Sequence, residues 1–162
     1  MNVLDGGRVV KATPIMGYLH RGIEKLLEAR TYTQGLPYTD RLDYISAMNN
    51  NFGYARAVEE LAGIETTPRA EYIRVIMAEL NRINSHLIFI GTLANDLGAS
   101  TGMLYCFRDR EKILDIFNLV CGARQTFHYI RIGGVKEDLS PEAAEMIRAF
   151  VDRVPDFLAE YN

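Results

Sequence analysis

The stretch that decides the fold runs from Thr67 to Gly98 and reads TPRAEYIRVIMAELNRINSHLIFIGTLANDLG. Thr67 is a suitable N-cap, and Pro68 fits the first helical turn, where its missing amide costs no hydrogen bond. Apolar residues recur at three- and four-residue steps along one helical face, namely Ile73, Met77, Leu80, Ile83, Leu87, Ile90 and Leu97. The apolar run 87–90 is typical of a helix that is buried on all sides. The stretch therefore predicts one long buried helix at the centre of the domain.

This apolar helix also carries polar side chains, most of them towards its carboxyl end. They are Asn84, His86, Asn95 and Asp96. Because buried polar groups need hydrogen-bonding partners, we expect the chemistry of the chain to lie near that end of the helix.

The other segments predict further helices and a little β structure. The turn Asp5-Gly6-Gly7 between two short apolar runs predicts a hairpin. Helices are expected over 14–30, from about Asp40 to Gly63, over 105–124 and from Pro141 onwards, with a loop over 31–40, a short β-like run over 129–132, and Pro155 interrupting the last helix. The predicted fold class is mainly α, a bundle of about five helices around a long central helix, with a small β-hairpin remnant at the N-terminus. Residues 1–162 are expected to form a single helical domain.

Composition narrows the class of protein. The chain has 162 residues, 48% of them hydrophobic and 24% charged, which is typical of a globular protein. A net charge of −3 gives no basic surface for nucleic acid. Cys106 and Cys121 have no CxxC partner, which argues against a zinc or iron–sulfur site within this chain. Neither a signal peptide nor an apolar run of 18 residues is visible, so a location inside the cell or organelle is expected.

Candidate chemistry rests on polar groups borne by apolar helices. The sequence contains no P-loop, nucleophile elbow or GxGxxG motif, and its three histidines lie on separate elements. A tyrosine hydroxyl such as Tyr44 can donate a hydrogen bond or a proton. We also expect an aspartate such as Asp96 to exchange protons where it lies in an apolar cleft, because a low dielectric disfavours the charged form. Such a pair suits a small polar head on an apolar body, although a purely structural polar network is the alternative.

Four motifs occur in a characteristic order: GYLHRGIEK at 17–25, LPYTDRLDY at 36–44, NDLGA at 95–99 and YIRIGGVKED at 129–138. With them the chain resembles the D subunit, the 49-kDa-type quinone-site subunit of respiratory complex I, the NADH:quinone oxidoreductase. More distantly it resembles the large subunits of [NiFe] hydrogenases. The family's HPxxHG loop would precede residue 1, and the family extends beyond residue 162. We therefore expect an amino-proximal fragment, inactive as an isolated piece.

The resemblance implies a function within a larger enzyme. In the family, electrons pass from NADH through FMN and iron–sulfur clusters to quinone, and the reaction drives proton translocation. Quinone is the substrate, and this chain is expected to bind no cofactor or metal, because the 4Fe–4S clusters, FMN and NADH belong to partner subunits. The expected partners are the iron–sulfur subunit with the terminal cluster and other peripheral-arm and membrane-arm subunits, without nucleic acid. We expect the chain to lie on the cytoplasmic side of the cell membrane, or on the mitochondrial matrix side in a eukaryote.

The resemblance also assigns site residues. Tyr44 matches the tyrosine of the family's D-R-x-D-Y motif that hydrogen-bonds quinone, and Asp96 matches the aspartate coupled to the headgroup site. Arg21, with His20 beside it, matches the arginine near the partner's terminal cluster. Glu24 matches a glutamate that belongs to a proton path in the hydrogenases. Many members of the family have a histidine where this chain has Thr126. We therefore expect no proton effect linked to a histidine at this position.

Two other functions compete with this one. The first is a truncated, non-catalytic helical module for assembly or binding. The second is a hydrogenase large-subunit relative, but those enzymes hold nickel and iron with two CxxC pairs. No cysteine occurs between Gly22 and Tyr105, where the first pair would lie.

Overall fold

A computed structural model describes residues 2–161, and over that range the chain is mainly helical. The predicted fold class is therefore confirmed, with six helices in place of about five. In chain order the elements are β1 (Asn2–Asp5), β2 (Arg8–Ala12), α1 (Ile23–Glu28), α2 (Tyr32–Thr39), α3 (Ala47–Ala62), α4 (Pro68–Asp96), α5 (Ser100–Cys121), β3 (Ile130–Arg131), β4 (Gly134–Val135) and α6 (Pro141–Tyr161).

The chain forms two compact units, the first ending at Thr31 and the second starting at Tyr32. In the first unit β1 and β2 pair antiparallel, which confirms the predicted hairpin. The helix expected over 14–30 is wrong for its first half, because α1 begins only at Ile23. Gly17 and Gly22 have φ angles of 108° and 62°, in the left-handed region that ends helical geometry and that glycine adopts at little cost.

In the second unit α4 and α5 form the most extensive helix pair. A Cβ placed on Gly91 of α4 would lie 3.1 Å from the Cβ of Cys106 on α5, so the glycine permits this close approach. The core is formed by this pair together with α2, α3, the segment around β3, and α6. Its residues include Leu36, Met48, Met77, Ile113, Phe117, Tyr129, Ile130, Phe150 and Phe157.

Helix α4 confirms the prediction from its sequence, with one correction. The hydroxyl of Thr67 accepts a hydrogen bond from the amide of Ala70 at 3.3 Å, as expected of an N-cap. However, the carboxyl half of α4 is not buried on all sides. Leu87 is buried, whereas Phe89 and Ile90 are exposed, because α5 covers one side of the helix.

Two boundaries around α2 differ from the sequence prediction. Residues 32–39 form a helix rather than a loop, although Pro37 lies inside it. The reason is tertiary, because Leu36 of α2 is buried in the core. The helix expected from about Asp40 begins instead at Ala47, and Asp40 is a buried residue that precedes it. Residues 41–46 form turns between α2 and α3.

The last two helices also differ from their predicted bounds. Helix α5 starts at Ser100, five residues before the expected start. Helix α6 continues through Pro155, which was expected to interrupt it. The proline leaves the carbonyl of Val151 without its helical partner, but Val151 is exposed, so water can solvate that carbonyl. Among the described residues, no helix has the length and apolar character needed to cross a membrane.

A buried guanidinium joins α3, α4 and the β3–β4 hairpin. Arg74 of α4 is fully buried, and its Nη2 and Nη1 lie 2.5 and 3.0 Å from the two carboxylate oxygens of Glu59 on α3. Nη1 also donates to Glu71, while Nε and Nη2 donate to the carbonyls of Gly134 and Arg131 at 3.0 and 2.6 Å. Burial raises the pKa of Glu59, but hydrogen bonds from Arg74 and from the Gly133 amide outweigh it and hold the pKa below its usual value.

Replacing Arg74 with methionine tests the importance of this network. The variant leaves Glu59 buried and without its cation, so we expect the free energy of unfolding to fall by about 3–5 kcal/mol. Arg82→Met on the same helix is the matched control, because its exposed pair with Glu79 contributes at most about 1 kcal/mol. Urea denaturation measures both, and similar small losses in the two variants would refute the role given to Arg74.

Candidate functional site

Tyr44 lies in the turns between α2 and α3, residues 41–46, which we call the Tyr44 turn. Asp43 shapes this turn, because its carboxylate accepts from the Ile45 amide at 3.3 Å and its carbonyl accepts from the Asn50 side chain at 3.0 Å. The Tyr44 carbonyl accepts from the side-chain amide of Gln125 at 3.4 Å. Tyr44 itself is 58% exposed, so its phenol is open to a ligand.

Asp96 is the last residue of α4, and its side chain is exposed. The helix ends there because Gly98 has a φ of 91° and its amide donates to the Asn95 carbonyl at 2.9 Å. Tyr44 and Asp96 both belong to the second unit and both reach solvent. That the two side chains share one cleft stays a prediction.

His20, Arg21 and Glu24 lie in the first unit. The imidazole Nε2 of His20 is 4.0 Å from the Glu24 carboxylate, and His20 precedes α1 rather than lying on it. The Gly22 amide donates to Nδ1 of His20 at 3.1 Å and orients the ring. Both side chains of the pair are exposed, and such a pair contributes little to stability.

Asp40, at the carboxyl end of α2, is a candidate that the sequence did not reveal. Its residue is fully buried, and neither carboxylate oxygen has a hydrogen-bond donor among the described residues. Burial raises the pKa of Asp40 to about 6, against the opposing effects of the nearby Asn51 amide, Arg41 and the His128 backbone. In the sequence Asp40 resembles the N-cap of a helix, and no pattern there indicates a buried carboxyl.

Arg41 connects this buried carboxyl to a cleft. Its Nη1 donates to the Pro37 carbonyl at 2.6 Å and lies 3.9 Å from an Asp40 oxygen. The cleft has a volume of about 350 Å³ and is lined by Gln34, Pro37, Tyr38 and Arg41. One charged side chain therefore lies between Asp40 and an open, largely apolar surface.

The segment 123–129 reaches Asp40 from the other side. Thr126 and His128 have φ angles of 58° and 45°, in a region that non-glycine residues adopt at a cost. The Nδ1 atom of His128 is buried without a hydrogen-bond partner in the described chain. Burial lowers the pKa of His128, and the charges of Arg131, Arg41 and Lys136 lower it further. The imidazole is therefore neutral near pH 7. A single histidine in a loop gives no signal of such an environment in the sequence.

The thiols are in the core. Cys106 and Cys121 are both free and buried, and burial raises the pKa of Cys121 to about 12. Over residues 2–161, no cluster of three or more histidine, cysteine, aspartate or glutamate side chains is arranged to hold a metal ion.

Comparison with known proteins decides the family. Residues 96–162 match the family described as respiratory-chain NADH dehydrogenase, 49 Kd subunit. The NADH-quinone oxidoreductase D subunit of Desulforamulus reducens is 57% identical over 159 residues, which are 98% of this chain and 43% of the relative. The chain belongs to this family of D subunits. The same protein of Clostridium beijerinckii is 55% identical over 98% of this chain and 43% of its own length. That of Dehalococcoides mccartyi is 52% identical over 99% of this chain and 44% of its own length.

These matches confirm the resemblance drawn from the four motifs. They favour the D subunit of NADH-quinone oxidoreductase over a hydrogenase large subunit and over a stand-alone module. The chain spans less than half the length of the curated relatives it matches.

The buried carboxyl of Asp40 predicts a distinct dependence of stability on pH. Below about pH 4 the folded and unfolded chains both hold its proton. Between about pH 4 and 6 the unfolded chain releases the proton while the folded chain keeps it, so stability falls as the pH rises. We expect Asp40→Asn to remove this fall, which amounts to at most about 3 kcal/mol.

Urea denaturation of the wild type and of Asp40→Asn between pH 3.5 and 7.5 measures the effect. Asp152→Asn, an exposed position on α6, is the control and should follow the wild type. If the stability of Asp40→Asn changes with pH in parallel with the wild type, the carboxyl of Asp40 is not the titrating group.

Proposed function

We propose that this chain lines the quinone-reduction chamber of an NADH:quinone oxidoreductase and so helps to couple electron transfer to proton translocation. The observation that carries the proposal is the 57% identity, across 98% of the chain, with a protein named as the D subunit of NADH-quinone oxidoreductase. That name gives NADH as the electron donor and quinone as the acceptor of the relative's enzyme. The chain would act as one subunit of this oxidoreductase and not alone.

Tyr44 and Asp96 are the proposed quinone-binding and catalytic residues. Reduction of a quinone to a quinol takes two electrons and two protons. The phenol of Tyr44, exposed on its turn, donates a hydrogen bond to a quinone carbonyl oxygen, and this bond strengthens as negative charge develops there. The carboxyl of Asp96, exposed at the end of α4, exchanges a proton with the headgroup site.

Electrons reach the quinone from a partner subunit. We place Arg21 and His20 near that subunit's terminal 4Fe–4S cluster, where a cationic guanidinium favours the reduced, more negative form. Glu24, 4.0 Å from His20, is the proposed first group of a proton path. In the same proposal, NADH and FMN are held by other partner subunits.

The proposed partners are the iron–sulfur subunit and other peripheral-arm and membrane-arm subunits of the complex. An exposed apolar strip on the carboxyl half of α4, formed by Phe89, Ile90, Leu93 and Leu97, supports burial against other protein. The complex would lie with this chain on the cytoplasmic side of a cell membrane, or on the matrix side in mitochondria.

Tyr44→Phe, made in the full-length protein within the assembled complex, tests the proposal. Loss of the hydroxyl removes the hydrogen bond to quinone, so we expect NADH:quinone reductase activity to fall by a factor of about 10²–10⁴. Oxidation of NADH by an artificial electron acceptor, which does not need the quinone site, should be unchanged.

Tyr72→Phe is the matched control, because Tyr72 is an exposed tyrosine on α4 with no proposed role. The proposal fails if Tyr44→Phe, like Tyr72→Phe, retains near-normal quinone reduction.

A further inference from the structure

The junction between α2 and the Tyr44 turn places a buried carboxyl, a guanidinium and the proposed catalytic phenol within five residues, 40–44. We propose that Asp40 is a positioning residue whose carboxyl, by binding or losing a proton, changes its hold on Arg41 and so sets the order of the turn that presents Tyr44. The positioning of quinone rests on the proposed function, whereas the effect on the turn does not.

The hydrogen bonds around Asp40 favour its neutral form. Both Asp40 oxygens and the side-chain oxygen of Asn51 are buried acceptors without a donor among residues 2–161. The amide nitrogen of Asn51 already donates to Thr39 at 2.8 Å and to the Leu36 carbonyl at 3.4 Å. With Asp40 ionised, three buried acceptors in this region lack a donor, which is costly away from water. A proton on Asp40 supplies a donor, so the fold accommodates the neutral acid.

Few charged groups lie close to Asp40. The cation that faces Asp40 is Arg41, whose Nη1 is 3.9 Å away, near enough for attraction but beyond a hydrogen bond. Cys121 faces it from α5, and its raised pKa keeps the thiol neutral. The segment 123–129 contributes the backbone of His128, and α3 contributes the uncharged Asn51. The Asn51 amide favours the ionised form of Asp40 most, and Arg41 is the charged group that attracts it.

These two forms interchange close to neutral pH, since burial raises the pKa of Asp40 to about 6. When Asp40 is ionised, it draws the guanidinium of Arg41 towards the end of α2, where the Pro37 carbonyl also binds it. When Asp40 is neutral, this attraction is lost. Arg41 is the first residue of the Tyr44 turn and a wall of the 350 Å³ cleft, so both respond to its position.

Hydrogen–deuterium exchange of the peptide spanning 40–46 tests the effect on the turn. The assembled complex is used without quinone, between pH 5 and 8, with correction for the intrinsic pH dependence of exchange. In the wild type we expect the protection of the turn to fall by about fivefold as the pH drops through 6, the factor that corresponds to loss of an attraction of about 1 kcal/mol between Asp40 and the half-exposed Arg41. Asp40→Asn should show the low-protection level at every pH, and Asp152→Asn should behave as the wild type. A wild type without this step, or an Asp40→Asn variant that keeps it, overturns the proposal.

Quinone kinetics in the same complexes test the link to the site. We expect the KM for quinone in the wild type to rise about fivefold below pH 6, and that of Asp40→Asn to be raised and flat, with kcat within about twofold. Asp40→Glu should restore the inflection. A variant Asp40→Asn that loses kcat equally at all pH values, with the KM profile unchanged, overturns the positioning role. If the exchange step is present but Tyr44→Phe reduces quinone normally, the proposed function fails while the hold of Asp40 on the turn stands.

Discussion

The buried guanidinium of Arg74 is the constraint on which the second unit depends. It has five N–H groups, and each donates within the protein: two to Glu59, one to Glu71, and one each to the carbonyls of Arg131 and Gly134. A helix pair and a two-stranded hairpin too short to be stable alone are thereby fixed together. The segment 123–129 leads directly into that hairpin. The hydrogen-bonded guanidinium of Arg74 therefore fixes the position of segment 123–129, and with it Gln125 and His128 beside the candidate site.

The Tyr44 turn is held from two sides by the same frame. On one side Gln125 binds the Tyr44 carbonyl at 3.4 Å. On the other, Asn81 of α4 donates to the Ile45 carbonyl at 3.0 Å and accepts from the Met48 amide at 2.9 Å. Asn81 is fully buried, so these bonds form out of competition with water. The backbone is thus anchored at Tyr44 and Ile45 while the side chain of Tyr44 stays exposed, an arrangement that suits a ligand-binding residue.

The parts of the fold that the sequence predicted are those with local causes. Thr67 and Pro68 start α4, its apolar spacing sustains it, and Gly6 and Gly7 close the hairpin. The errors have tertiary causes. Gly35 and Pro37 indicate a loop, but burial of Leu36 makes that segment helical. For the candidate site, the motifs led to the prediction of Tyr44 and Asp96, which stays a prediction. Asp40 and His128 could not be predicted, because their environment depends on segments that are distant in the sequence.

Two buried carboxyls in this fold have opposite environments, one rich in hydrogen-bond donors and one without them in the described part of the chain. Glu59 is surrounded by donors, and its pKa lies below the usual value. Asp40 is equally removed from water but has no donor among the described residues, and its pKa lies well above the usual value. A chain can bury a charge for stability only by satisfying it, as it does in the frame around Arg74. A buried charge without hydrogen-bond donors lowers the stability of the fold. Natural proteins are expected to keep such a group where function requires it. Asp40 lies four residues from Tyr44, so a role for this unsatisfied carboxyl is sought at the proposed quinone site rather than in the core.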